Sequence, residues 1–163
     1  MRKMLYVALV VAAAVAALLA ATGTMTARGE AKRPATRATS VVISTKTLPK
    51  LGTVLVNGKG RTLYMFVPDK RTKVTCVGAC AAIWPPAKLP KGAKAAAAGK
   101  AKASLLGSDP NPAGGRVVTY NRWPLYTYVV DTAAGQAKGQ ALKLNGGLWY
   151  VLAPSGKVIK TKP

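Results

Sequence analysis

The sequence contains no histidine, and only 4 of its 163 residues are Asp or Glu. The first absence removes the Ser–His and Cys–His pairs that activate most hydrolytic nucleophiles. It also removes the imidazole ligands of common zinc and haem sites. The second leaves too few oxygens for a calcium cage, which takes about six or more. The 2 cysteines cannot by themselves complete a tetrahedral metal site. No metal, no cofactor and no catalytic constellation is therefore expected. Asp69 and Asp131 are the residue types of a glycosidase acid pair, but nothing in the sequence fixes their separation.

What is abundant is positive charge. Lys and Arg number 25. A surplus of this size raises the local concentration of anionic partners and makes their binding sensitive to salt. The same charge also serves plain solubility. The basic residues are scattered along the chain and do not form one block, so no specific nucleic-acid site is expected.

Arg2 and Lys3 precede an unbroken apolar run over residues 4–21, and Ala21-Thr22-Gly23 supplies small residues at its exit. This is the pattern of a secretory signal over residues 1–23, with cleavage after Gly23. The run has 18 residues, close to the shortest length that crosses a bilayer, so an uncleaved anchor is the rival reading. Membrane contact is expected only through this segment. Without residues 1–23, 23 basic residues stand against 4 acids, a formal charge of +19. Residues 24–39 hold Thr, Ala, Arg, Lys and Pro with no apolar periodicity, which reads as a flexible basic tether. Residues 40–163 then form the domain.

The domain reads as all-β. Residues 41–47 alternate weakly. Residues 54–56 and 62–67 flank Asn57-Gly58-Lys59-Gly60 and read as a hairpin. Residues 117–120 and 125–130 flank Asn121-Arg122-Trp123-Pro124 and read as a second. Residues 148–152 and 157–159 flank Ala153-Pro154-Ser155-Gly156 and read as a third. Short strands with Gly and Pro turns point to a small sheet, sandwich or barrel. Residues 91–102, KGAKAAAAGKAK, have two glycines and no apolar stripe, and read as a linker over 91–103.

Two of these hairpins are copies of one unit. Residues 62–69, TLYMFVPD, align with 124–131, PLYTYVVD, at an offset of 62. Each is followed by a glycine-containing loop and a tryptophan, Trp84 or Trp149. The repeats are expected over about 50–90 and 104–160. Neither buries its apolar face alone, which predicts two halves packed about a pseudo-two-fold axis.

These words resemble a known group of exported bacterial proteins, the secreted-repeat family of predicted lipoproteins. That family carries a Tyr-x4-Asp motif in tandem, here Tyr64 to Asp69 and Tyr126 to Asp131. The neighbouring segments 76–86 (CVGACAAIWPP), 135–140 (GQAKGQ) and 147–149 (GLW) also resemble it, and the likeness spans residues 50–159. The resemblance implies a tandem β-rich fold outside the cytoplasm and supplies no activity. The chain departs from the family in lacking the lipid-bearing Cys of many members. Arg122-Trp123 also stands where a Gly often precedes the Pro-Leu-Tyr.

Each motif has a structural and a functional reading. The carboxylates of Asp69 and Asp131 can accept backbone N–H bonds in the turns that end their strands, or ligate a cation or polar group. Tyr64 and Tyr126 can be core aromatics or a stacking platform for a ligand. Cys76 and Cys80 are one helical turn apart, which suits a disulfide closing a short loop worth about 2 kcal/mol. A redox role would need an exposed low-pKa thiolate. Trp84 and Trp149 read as apolar anchors, and 135–140 as a turn, not a phosphate cradle. The leading expectation is an exported, envelope-associated binding module that meets anionic wall polymers or anionic lipid through its basic surface. A redox or electron-transfer accessory using Cys76 and Cys80 is the second reading. A small-ligand binder at the repeat interface is the third.

Overall fold

The computed structural model describes residues 40–71 and 73–162. The segments read as signal and tether lie outside the described residues. Strand β1 (Ser40–Leu48), rich in β-branched residues, turns through Lys50 in the left-handed region (φ 62°) into β2 (Gly52–Asn57). The two pair antiparallel from Ile43↔Asn57 to Leu48↔Gly52. At the end of β2 the Asn57 side chain accepts the N–H groups of Lys59 and Arg61, which closes the expected turn. Strand β3 (Tyr64–Phe66) follows, then helix α1 (Ala79–Ile83), β4 (Lys88–Leu89) and β5 (Lys94–Ala97). The second half supplies β6 (Leu106–Pro110), β7 (Arg116–Tyr120), β8 (Trp123–Pro124), β9 (Leu142–Leu144), β10 (Gly147–Leu152) and β11 (Val158–Ile159).

The fold is all-β, in three sheets ordered β2-β1-β5, β11-β10-β3 with β9 beside β10, and β4-β7-β6 with β8 beside β7. Among the described residues none of these sheets closes on itself as a barrel. Four local expectations change. The strand expected over 62–67 stops at Phe66, because Pro68 has no N–H for a ladder and Val67–Asp69 forms one 3-10 turn instead. The run 125–130 leaves the sheet after Tyr126, and Val129 and Val130 are exposed. The second hairpin turn is Asn121-Arg122 alone. Both residues have positive φ (47° and 67°), and Tyr120 pairs with Trp123 across them, the two-residue connection that suits the twist of paired strands. The segment read as a linker, 91–103, is structured: β5 pairs in parallel with β1 from Ser40↔Lys94 to Ile43↔Ala97. Small alanine side chains let it lie against β1 without an apolar stripe of its own. The third hairpin forms, with Val151↔Ile159 and Leu152↔Val158.

The halves interleave at the centre. Val151 pairs with Tyr64, Tyr64 with Tyr126, and Tyr126 with Pro86, all antiparallel. The ladder thus alternates second half, first half, second half, first half. Its middle rung is a reciprocal backbone pair, with Tyr64 N to Tyr126 O at 2.8 Å and Tyr126 N to Tyr64 O at 2.9 Å. Strand alternation sends neighbouring side chains into two cores. Tyr64, Phe66, Tyr126, Trp149 and Val151 enter one. Leu63, Met65, Leu125 and Leu152 enter the other, with Ile43 and Leu55 from the β1-β2 pair.

Candidate functional site

The four residues of the repeated motif meet at the centre, and they meet crosswise. The Tyr64 hydroxyl donates to Asp131 Oδ2 at 2.5 Å, and the Tyr126 hydroxyl donates to Asp69 Oδ2 at 2.8 Å. Each tyrosine therefore bonds the aspartate of the other half. The remaining carboxylate oxygens are taken by the loops that follow. Asp69 Oδ1 accepts from the Thr75 N–H at 2.8 Å and from the Thr75 hydroxyl at 2.5 Å. Asp131 Oδ1 accepts from the Lys138 N–H at 2.9 Å. The next residue along closes the second-half circuit, since Gly139 N–H donates to Tyr64 Oη at 3.3 Å, and Cys76 holds the equivalent place after Thr75 in the first half. Two equivalent latches result.

All four side chains are buried. Burial pushes the Asp69 and Asp131 carboxyls above the ordinary carboxylate range. Hydrogen bonds from Thr75 and Tyr126 in one case, and from Tyr64 and Lys138 in the other, pull against it. Both tyrosine hydroxyls are driven far up, by burial first and by the adjoining carboxylates second. A neutral phenol held against a carboxylate is what a closed latch requires. The arrangement leaves these groups facing each other and not an opening.

Beside the latches runs a stack of four rings. Tyr128 stacks on Trp84 (4.1 Å), Trp84 on Trp149 (3.8 Å, 4° between planes) and Trp149 on Phe66 (4.1 Å). Tyr64 meets Trp84 edge-on at 5.4 Å, and Tyr126 meets Trp149 edge-on at 5.2 Å. The stack obeys the same pseudo-symmetry, with Tyr128 and Phe66 crossing to the tryptophan of the other half. It differs in one atom. Trp149 Nε1 donates to the Leu144 carbonyl at 3.1 Å, whereas the buried Trp84 Nε1 has no partner among the described residues.

Cys76 and Cys80 form a disulfide with Cα atoms 5.2 Å apart. Only Cys80 lies in α1; Cys76 precedes it. The loop 135–140 does more than turn. Gln140 is buried, accepts the Val151 N–H, and donates through Nε2 to the carbonyls of Ile159 and Thr161, tying down the C-terminal segment. The sequence reading missed Gln140 and Gly139. The only local signal for Gly139 is its glycine identity, and that has a cause, because a Cβ there would stand 2.6 Å from the Trp84 ring.

Charge is partitioned by depth. Every lysine among the described residues is exposed, as are Arg116 and Arg122. Of the acids, Asp69 and Asp131 are buried and Asp109 is half-buried. Among the described residues, no group of three or more Cys, Asp or Glu side chains is placed to hold a metal ion. No helix among them is long and apolar enough to cross a membrane.

A family model described as a secreted repeat of unknown function matches the chain twice, over residues 46–88 and 110–153. The two matches each contain one Tyr-x4-Asp motif and its tryptophan. No curated protein and no solved structure matches the chain.

Proposed function

The chain belongs to the family of secreted repeats of unknown function, which places it outside the cytoplasm, and from that premise we propose that it is an envelope-associated module that binds anionic polymers or anionic lipid surfaces through its exposed lysines. The observation that carries this reading is the partition of charge. Every lysine among the described residues is exposed, while no carboxylate among them is fully exposed to answer them. Such a surface attracts polyanions of any fine structure, with an affinity set by charge density and ionic strength. If residues 4–21 are retained after export, they hold the module at the membrane, where anionic headgroups are nearest.

Thermal unfolding of the full chain tests this reading, with a polyphosphodiester wall polymer, a polycarboxylate and anionic vesicles added separately. A partner that binds only the folded state raises the midpoint. The rise is expected at low ionic strength and is expected to vanish at about 0.5 M salt, where screening shortens to a few ångströms. No rise with any of the three would reduce the charge to a solubility device.

A further inference from the structure

A pocket of about 390 Å³ opens beside the disulfide, between the end of the first half and the start of the second. This volume falls within the range of small-molecule sites, roughly 300–1,000 Å³. Its apolar wall comes from Val77, Ala81, Pro85 and Pro86; two polar side chains, Lys88 and Asn111, complete it. The wall is stiff. Cys76, which also lines it, is tied to Cys80 in α1, and the two prolines fix their own φ. The pocket is therefore preformed and does not have to be created by a ligand.

Its polar groups offer donors only. The Lys88 ammonium has no lone pair to give. Asn111 is 8% exposed, and its Oδ1 accepts the Ala113 N–H at 3.1 Å. That bond fixes which end of the amide is the NH₂, and this NH₂ has no partner among the described residues. The nitrogen itself is not sealed off, so it is a free donor at the pocket wall, open to an acceptor brought in from outside. An ammonium and a free amide NH₂ beside an apolar wall match one chemistry, a small anion with an apolar body.

The surroundings agree. Residues 74–87 carry no charge in a chain otherwise dense with lysine. All five residues of α1 are apolar, and none is buried. The apolar surface here thus stays open where the rest of the surface is cationic. The pocket also breaks the pseudo-symmetry of the halves. Where Cys76 precedes α1 in the first half, the second has Gly139 and the buried side chain of Gln140.

We infer that this pocket binds a small apolar anion of the medium-chain carboxylate type, with its apolar body against Val77, Ala81 and the two prolines and its acid group on Lys88 and Asn111. The inference is independent of polyanion binding, which uses the dispersed surface lysines.

Titration of the full chain with sodium octanoate, followed by the methyl resonances of Val77, Ala81 and Ala113, tests it, with acetate and octanol as partial ligands. Saturable shifts confined to these methyls are expected with octanoate. Acetate should give none. Lys88→Ala should weaken octanoate roughly tenfold, the worth of one charge-assisted hydrogen bond, and leave octanol unchanged. Ala81→Phe should fill the space and abolish both, with Lys88→Ala as the safe second variant because Lys88 is exposed. Absence of saturable shifts, shifts spread over the lysine surface, or an Ala81→Phe variant that folds and binds undiminished would each overturn the inference.

Discussion

Tyr64 bonds Asp131, the aspartate of the other repeat, at 2.5 Å, although its own Asp69 lies five residues away in the chain. The reciprocal bond, Tyr126 to Asp69 at 2.8 Å, makes the repeated motif a pair of crossed latches on either side of the Tyr64–Tyr126 rung. The spacing is explained by this role. Tyr64 lies in the ladder, Val67–Asp69 turns the chain out of it, and the carboxylate is left facing back toward the neighbouring strand. Replacing either tyrosine by Phe keeps the ring and strands a buried carboxylate oxygen. Tyr64→Phe and Tyr126→Phe should each cost about 2 kcal/mol in denaturant unfolding, since a hydrogen bond to a charged group is worth roughly 1.5–3. A loss below about 0.5 kcal/mol in either variant, the level of an ordinary surface change, would remove the latch as a stabilising element.

The interleaved ladder bears on the independence of the halves. Every inner rung pairs one half with the other, so a fragment of residues 40–103 exposes both edges of β3 together with the ring of Trp84. Such a fragment cannot bury its apolar face. Fragments 40–103 and 104–163, made separately, should each lack a cooperative thermal transition, and mixing them should restore one. A cooperative transition in the first fragment alone would show that the ladder is dispensable for folding.

Much of this centre was legible in the sequence, and the illegible part has a physical cause. The repeat at offset 62, the aromatic pairs and the disulfide all depend on local words, and they appear where those words put them. The crossing of the latches does not. Tyr64 and Asp131 are far apart in the chain, and no local preference distinguishes Asp69 from Asp131 as a partner. The 3-10 turn at Val67–Asp69 had a signal in Pro68 that the apolar run outweighed. Strand β5 had none, because its alanines satisfy a parallel edge through backbone bonds and little side-chain area. Gly139 and Gln140 sat inside a polar stretch that reads as a turn, and their work is done with partners distant in sequence, Trp84 and Ile159.

Gly139 offers a sharp steric test. Its backbone is not in the left-handed region, so alanine is not excluded by φ. The obstacle is the Trp84 ring at 2.6 Å and the Tyr64 ring at 3.1 Å from the position of the new methyl. Both rings are locked, one in the four-ring stack and the other in a latch. Gly139→Ala should therefore cost about 2–3 kcal/mol by overpacking, with reduced near-ultraviolet dichroism from the displaced tryptophans. A neutral variant would mean that the stack yields easily.

The raised carboxyls set the direction of the pH response. A group whose folded pKa lies above its unfolded value holds its proton more tightly when folded. Its contribution is fully present below the unfolded value, about 3.9 for Asp, and is lost as pH rises through the folded one. Asp69 and Asp131 both shift upward, opposed by Thr75 and Tyr126 in one case and by Tyr64, Lys138 and Arg61 in the other. The half-buried Asp109 shifts the same way. The sequence has no histidine, so no imidazole titrates across this range. The melting midpoint should thus rise as pH falls from 7 toward about 4, the reverse of ordinary acid unfolding. Asp131→Asn should remove part of that slope, and a midpoint that falls steadily on acidification would contradict the burial effect.

The disulfide closes a loop of only a few residues, so the chain entropy it removes is small, about 2 kcal/mol on the loop-closure account. Cys76 is buried, and the neighbouring Thr75 donates to Asp69 through both its N–H and its hydroxyl, which means that the backbone around Cys76 is held by the latch independently of sulfur. Two consequences can be separated. Reduction should lower the melting midpoint by several degrees without unfolding the domain, and a Cys76→Ala/Cys80→Ala variant should behave like the reduced protein. A redox accessory would need the pair to exchange readily with a mild dithiol in the folded state, with the reduced thiols trapped by alkylation before any unfolding. Burial of Cys76 predicts that alkylation instead tracks unfolding as denaturant is raised. Trapping of both thiols in native conditions, at a rate independent of stability, would turn the assignment from a staple to a working redox pair.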